Sequence, residues 1–135
     1  MRRLRVEAAA TLLAAKLAIK FGPFRWLIWW MQRPPRLELQ GLRRERARSD
    51  VSVAVEAAAQ RLPGMVCFPK AVAAQSMLRR RGVSTTIYFG AGTMGRARLS
   101  AHVWLADGES AVTGSRSGYP VLARYSGAIE AARQA

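Results

Sequence analysis

Cys67 and His102 are the only cysteine and the only histidine of this 135-residue chain. Cys67 stands two residues before Pro69, at the start of a predicted helix that Gly82 ends. At a helix N-terminus the unpaired N–H groups and the positive end of the dipole favour a thiolate, and the same N–H groups can hold an oxyanion. The sequence therefore indicates a nucleophilic thiol, although an isolated cysteine is also a common buried structural residue.

His102 lies in the middle of a predicted strand of the sheet that follows this helix. A helix packed on the sheet can bring the imidazole within hydrogen-bond reach of the Cys67 thiol. The imidazole would then take the thiol proton and return it to a leaving amine. We predict Cys67 as nucleophile and His102 as general base, with structural roles for both residues as the alternative.

A third group normally orients the imidazole of such a pair. If Asp107 and Gly108 form a two-residue hairpin turn, Thr113 is expected directly opposite His102. Asp107 itself is five strand residues from His102, roughly 16 Å, and is interpreted as a turn residue. Thr113, a backbone carbonyl or a water molecule would then replace the usual carboxylate.

Other chemistry is poorly supported by the sequence. One cysteine and one histidine cannot form an ordinary zinc site, so no metal is predicted. The stretch "GAGTMG" at 90–95 is similar to a phosphate-binding loop, but no Lys-Ser/Thr pair follows and the next element is a predicted strand. No cofactor is predicted.

The composition suggests an acidic partner. The net charge is +14, from 22 basic and 8 acidic side chains, which fits an anionic membrane surface, nucleic acid or an acidic peptide, or simply a soluble surface. No aromatic-plus-basic signature of nucleic-acid binding is visible in the second half, and no nucleic-acid partner is predicted. A single cysteine excludes an internal disulfide, which favours a reducing, cytoplasmic location.

The first 33 residues predict two helices. Over 4–19 one apolar face carries Leu4, Ala8, Leu12, Ala15 and Ile19, and a second set (Val6, Ala10, Leu13 and Leu17) is expected to widen it. After "FGP", the stretch "FRWLIWWM" at 24–31 holds three of the four tryptophans. These helices are expected to pack on the core or on a partner protein, and a peripheral membrane contact is the alternative.

The rest of the chain predicts helices followed by strands. Residues 34–50 are interpreted as a linker or exposed helix, after which Asp50 is expected to cap a helix that ends at "PG". Strands are predicted over 83–91, 98–106, 109–114 and 119–126, with a final helical turn over 127–135. The fold class is α+β with an antiparallel sheet. We divide the chain into an N-terminal helical region with an Arg-rich linker (1–50) and a core (51–135).

The chain resembles the transglutaminase-like cysteine proteases that remove the leader in lasso-peptide biosynthesis. The resemblance covers nearly the whole chain and is carried by "RLPGMVCFPKAVAAQSMLRRRGV" (61–83), "STTIYFG" (84–90), "AHVWLADG" (101–108) and "YPVLARYSG" (119–127). It implies a transglutaminase-like or papain-like core, with Cys67 as nucleophile and His102 as base. Family members often carry an Asp about a dozen residues after this histidine, where the present chain has Thr113, Gly114 and Ser115.

The resemblance also implies a substrate and partners. The substrate would be a precursor peptide, cut at the amide bond between leader and core, after which an asparagine-synthetase-like lasso cyclase closes the macrolactam ring. A winged-helix-like recognition module is not visible in the sequence, so a separate leader-binding protein is expected to deliver the precursor. The alternatives are a weakly active or inactive transglutaminase-like scaffold of the same pathway, and a basic membrane-binding or nucleic-acid-binding module.

Overall fold

The computed structural model describes most of the chain. The described residues are 2–62, 64, 66–94, 98–107, 110–113 and 121–126. The predicted final turn over 127–135 lies outside them.

In the described part of the chain, four helices precede four strands. The helices are α1 (Arg2–Phe21), α2 (Phe24–Met31), α3 (Gly41–Arg61) and α4 (Cys67–Arg80). The strands are β1 (Thr86–Met94), β2 (Arg98–Asp107), β3 (Ser110–Thr113) and β4 (Val121–Ser126). They form one antiparallel sheet in the order β3-β2-β1-β4. This arrangement confirms the predicted α+β class.

Helix α4 lies at the centre of the molecule. It packs on α1, on α3 and on the sheet, and all eight residues from Ala71 to Leu78 are buried. Among them Gln75 donates a hydrogen bond of 2.8 Å to the carbonyl of Met31, which ties the end of α2 to α4. A helix buried on every side has little freedom to shift, so it fixes the position of Cys67, its first residue.

The two ends of α4 follow from the sequence as predicted. Pro69 is the third residue of the helix, where a missing N–H costs no intrahelical hydrogen bond. At the other end Gly82 has a φ of 85°, and the N–H groups of Gly82 and Val83 bond the carbonyls of Arg79 and Leu78. These paired bonds form a Schellman motif, which ends the helix at a residue that needs no Cβ.

Three local predictions are corrected. Helix α3 begins at Gly41, so Asp50 lies inside it and does not cap it; tertiary contacts on 41–50 continue the helix through the polar stretch. Helix α3 crosses the proposed division at residue 50, and the division itself stays a prediction. Strand β1 runs on to Met94, through part of the expected glycine loop, because pairing with β2 continues to Arg98.

The third correction concerns the second apolar set of α1. Ala8, Leu12 and Ala15 are buried as predicted, whereas Val6, Leu13 and Leu17 are exposed. With about 3.6 residues per turn the second set falls on the opposite side of the helix, and α3 and α4 both pack on the first face. Helix α1 therefore has two apolar faces, of which one is open to solvent.

Candidate active site

Cys67 is the first residue of α4 and is half-buried, with a free thiol. Val66 before it is extended, with φ −90° and ψ −172°, so the chain turns into the helix at the cysteine. Because first-turn N–H groups have no intrahelical acceptor, those of Cys67 and Phe68 are potential donors to a ligand. This local geometry matches the one expected for a nucleophile beside an oxyanion site.

The other donors of this first turn are used or missing. Pro69 has no N–H, and the N–H of Lys70 bonds the carbonyl of Val66 at 3.4 Å. The Lys70 ammonium forms an ion pair of 3.0 Å with Glu56 on α3. The lysine charge is therefore engaged by a carboxylate, and Cys67 and Phe68 remain the donors through which α4 can hold an anion.

Aromatic contacts attach the start of α4 to the sheet. The ring of Phe68 meets Phe89 of β1 edge to face at 5.2 Å between centroids, and Phe89 meets Tyr125 of β4 in the same way at 5.5 Å. Edge-to-face pairs at this distance are favourable contacts. They hold the helix start, and Cys67 with it, over the β1–β4 side of the sheet.

His102 lies in β2, opposite Gly90 of β1, and is half-buried. Its ring stacks on Trp104 at 5.8 Å, and Trp104 stacks on Tyr88 at 5.5 Å. The three rings form a row on one face of the β1–β2 pair. This row restricts the orientation of the imidazole through packing.

Strand alternation places this row on the face of β2 opposite to that of Val103. Val103 and Leu105 of β2 belong to the hydrophobic core that α4 helps to form, and Cys67 packs against that core. Successive strand residues project to opposite faces, so His102 and Trp104 point away from the face that carries Val103. The proton transfer from the Cys67 thiol to the His102 imidazole stays a prediction.

The expected third member is corrected by the register of β3. Thr113 is opposite Leu105, three positions from His102. Ala106 pairs with Ala111, two residues further along β3 than the expected Glu109, and a bulge between Leu105 and Ala106 moves the register by one more residue. Thr113 is buried there, and among the described residues its hydroxyl has no hydrogen-bond partner.

Asp107 is also corrected, because it is ion-paired. It ends β2 and accepts hydrogen bonds from Arg44 at 2.8 and 2.9 Å and from Arg48 at 3.1 Å. Burial alone would raise the pKa of Asp107, but the hydrogen bonds and charge of Arg44, with those of Arg48, hold it below its ordinary value. This carboxylate joins α3 to the sheet and lies roughly 16 Å along the strand from His102.

Sequence reasoning missed the partners of Asp107. Arg44 and Arg48 stand four residues apart, which puts them on one face of a helix. The polar stretch around them is interpreted as a linker or an exposed helix, and this spacing is the signal in favour of the helix. Within the described residues, no group of three His, Cys, Asp or Glu side chains could hold a metal ion.

Comparison with known proteins identifies the fold family. No curated protein and no solved structure matches the chain. The sequence model of the transglutaminase-like superfamily matches residues 10–125, a span that includes α4 with Cys67 and β2 with His102. The helix-first α+β architecture agrees with this match. The chain belongs to the transglutaminase-like superfamily.

Proposed function

We propose that this protein is a cysteine peptidase that removes the leader from a lasso-peptide precursor. The superfamily includes cysteine peptidases. The sequence around Cys67 and His102 resembles that of the lasso leader peptidases. The observation that carries the proposal is the position of the only thiol, at the N-terminus of a buried central helix. At that position the thiol lies beside first-turn N–H groups that can stabilise an oxyanion.

The proposed chemistry is acyl transfer through a thioester. This chemistry requires the His102 imidazole to reach the Cys67 thiol and accept its proton, after which the sulfur attacks the carbonyl carbon between leader and core. The oxyanion that forms is stabilised by first-turn N–H groups of α4. The imidazolium then protonates the leaving amine as the C–N bond breaks, and a water molecule deprotonated by His102 hydrolyses the thioester. Peptide and water are converted to an amine and a carboxylic acid, and the enzyme is regenerated.

Two partners belong to the proposal. A separate leader-binding protein delivers the precursor and holds its scissile bond near Cys67, which raises the effective concentration of substrate. A macrolactam-forming, asparagine-synthetase-like cyclase then uses the released core peptide. Both partners rest on the resemblance to the lasso leader peptidases.

Mass spectrometry of the precursor tests the proposal. The precursor is incubated with this protein, with and without the leader-binding protein. Wild type is expected to release leader and core, faster with the partner, while Cys67→Ala and Cys67→Ser release none. Ser49→Ala, an exposed change on α3, is the matched control and should cleave like wild type. Cleavage at the wild-type rate by Cys67→Ala would rule out a cysteine peptidase.

A non-catalytic scaffold of the same pathway is the second candidate. It is favoured by the position of His102 on the face of β2 opposite to Val103, and by the position of Asp107 and Thr113 away from the imidazole. A scaffold predicts that Cys67→Ala supports full maturation when the leader-binding protein and the cyclase are present. The peptidase predicts that the same variant blocks it.

A further inference from the structure

The three tryptophans of helix α2 are exposed to solvent. Its buried residues are Leu27 and Met31, which face α1 and α4. The tryptophans lie on the remaining sides of the helix: Trp26 is 65% exposed, Trp29 60% and Trp30 37%. A helix of a globular domain normally buries its largest apolar residues, so this orientation requires an explanation beyond folding.

Helix α1 continues this apolar surface. Its solvent-facing stripe consists of Val6, Leu13, Leu17 and Phe21, with Phe21 73% exposed. Phe24, the first residue of α2, is also exposed, so aromatic rings flank the α1–α2 turn on both sides. We call these residues, together with the three exposed tryptophans of α2, the α1–α2 surface.

A groove of about 620 Å³ joins the two parts of this surface. Its floor includes Ala10, Ala14 and Ala18 of α1, and the three tryptophans of α2 line its other side. The alanines neighbour the exposed stripe along α1. The surface is therefore continuous from α1 to α2.

The surroundings of the surface are strongly basic. Residues 8–37 contain no acidic side chain and five basic ones: Lys16, Lys20, Arg25, Arg33 and Arg36. The guanidinium of Arg33 lies 4.9 Å from the ring centre of Trp29, and that of Arg79 on α4 lies 5.0 Å from Trp30. An occupant of this surface must be apolar where it meets the rings and anionic around them.

We propose that the α1–α2 surface docks on an anionic lipid bilayer. Tryptophan beside arginine and lysine is the composition of proteins that bind at the lipid headgroup level. Anionic lipids would attract the five basic residues, while the rings enter the boundary between headgroups and acyl chains. This interaction is independent of the peptidase proposal, because it uses neither Cys67 nor His102.

The spread of the surface favours a bilayer over an acidic peptide. A bound peptide would fill the groove but leave the stripe and the turn, with Leu13, Leu17 and Phe21, in water. An interface plane can cover the turn, the stripe and the tryptophans together. No described helix is long and apolar enough to cross a membrane, so the predicted contact is peripheral.

Vesicle binding tests the inference with the full chain. Sedimentation with phosphatidylglycerol–phosphatidylcholine vesicles is compared with sedimentation on pure phosphatidylcholine. Wild type is expected to bind the anionic vesicles at least about tenfold more strongly, and added salt should weaken this binding. Trp104 is 2% exposed and already shielded from water. A blue shift of tryptophan emission on binding would therefore come from the three exposed tryptophans of α2.

Two double variants assign the contact to its residues. Trp26→Ser with Trp29→Ser should lower partitioning about tenfold or more, because both rings are already exposed and their loss removes only interfacial area. Lys20→Gln with Arg25→Gln should lower binding to anionic vesicles about fivefold for each charge. The control is Leu42→Ser with Val53→Ser, which removes exposed apolar residues of α3 and should bind like wild type.

Three outcomes overturn the proposal. The first is no binding of folded wild type to anionic vesicles. The second is unchanged binding by the tryptophan variant. The third is a wild-type dimer in light scattering that the tryptophan variant dissociates, without vesicle binding, since a second copy would then cover the surface.

Discussion

Arg44 on α3 and Asp107 at the end of β2 are joined by two hydrogen bonds of 2.8 and 2.9 Å, in which one guanidinium faces one carboxylate. The same guanidinium donates to the carbonyls of Ser84 and Leu39. The Asp107 side chain is only 12% exposed, so solvent screens this pair weakly. Arg44 therefore holds three segments of the chain against α3.

We expect Asp107→Asn to lower the free energy of unfolding by about 1–3 kcal/mol, because the arginine charge loses its partner in a half-buried site. Urea unfolding measures the effect, with Glu45→Gln, an exposed acid of α3, as control. Precursor cleavage by the folded variant should stay within about threefold of wild type. A loss of about 100-fold in kcat at unchanged stability would instead make Asp107 the group that orients His102.

Thr113 gives a second prediction about stability. Its side chain is 2% exposed, and its hydroxyl has no partner among the described residues. Thr113→Val keeps the shape and removes the hydroxyl, so it should be neutral or stabilising by up to about 1 kcal/mol. Thr113→Asp places a charge in the core and should cost at least about 3 kcal/mol. Thermal unfolding of both variants is the measurement, and a stable Thr113→Asp protein would contradict the observed register.

Glu7 predicts a pH dependence of stability. Hydrogen bonds from Arg81 and then Arg80, partly opposed by burial, lower the pKa of Glu7 from 4.5 to about 2. A carboxyl whose pKa is lower in the folded state stabilises the fold fully above the unfolded value, and the contribution disappears as pH falls from about 4.5 to about 2. Because Glu7 is about one-third exposed, we expect it to contribute about 1 kcal/mol.

The test of this prediction is urea unfolding between about pH 6 and pH 2.5 for wild type and Glu7→Gln. The variant should be less stable at the upper end, and the difference should shrink as the solution is acidified. Glu38→Gln, an exposed acid that forms no ion pair among the described residues, is the control. A difference that does not change with pH would exclude ionised Glu7 as its source.

Gly82 and Gly41 form a matched pair for backbone strain. Both have positive φ, 85° and 63°, but a Cβ at Gly82 would lie 2.7 Å from the carbonyl oxygen of Leu37, whereas at Gly41 it meets nothing within 4 Å. Gly41→Ala should cost about 1 kcal/mol from conformation alone. Gly82→Ala should cost at least about 1 kcal/mol more, because the clash adds to that strain. Equal losses of unfolding free energy in the two variants would show that residues 37–39 move away from the new Cβ at no cost.

Alkylation of Cys67 measures its cooperation with His102. If the imidazole takes the thiol proton, iodoacetamide should react with wild type at pH 7 several-fold faster than with His102→Gln. Tyr88→Leu, which changes the same ring row but keeps the imidazole, is the control and should react nearly like wild type. Equal rates in wild type and His102→Gln would support separate roles for the two residues and weaken the peptidase proposal.

The sequence alone determined the features that depend on neighbouring residues. The start of α4 near Pro69, its end at Gly82, the four strands and the order of helices before strands all follow from local rules: a missing N–H, a residue free to adopt positive φ, and a change of apolar period. The position of Cys67 at a helix start follows from the same rules. These features need no knowledge of which elements pack together.

Tertiary structure decided the features that depend on distant residues. The pairing of Asp107 with Ser110 and the bulge beside Leu105 together set the position of Thr113, since a register is chosen by burial of the whole strand and not by its turn alone. Arg44 and Arg48 reached Asp107 only because α3 crosses the sheet end. Helix α1 has two apolar faces; helices α3 and α4 bury one of them, and the other is left in solvent. The apolar periodicity of a single helix does not tell which of two such faces will be buried.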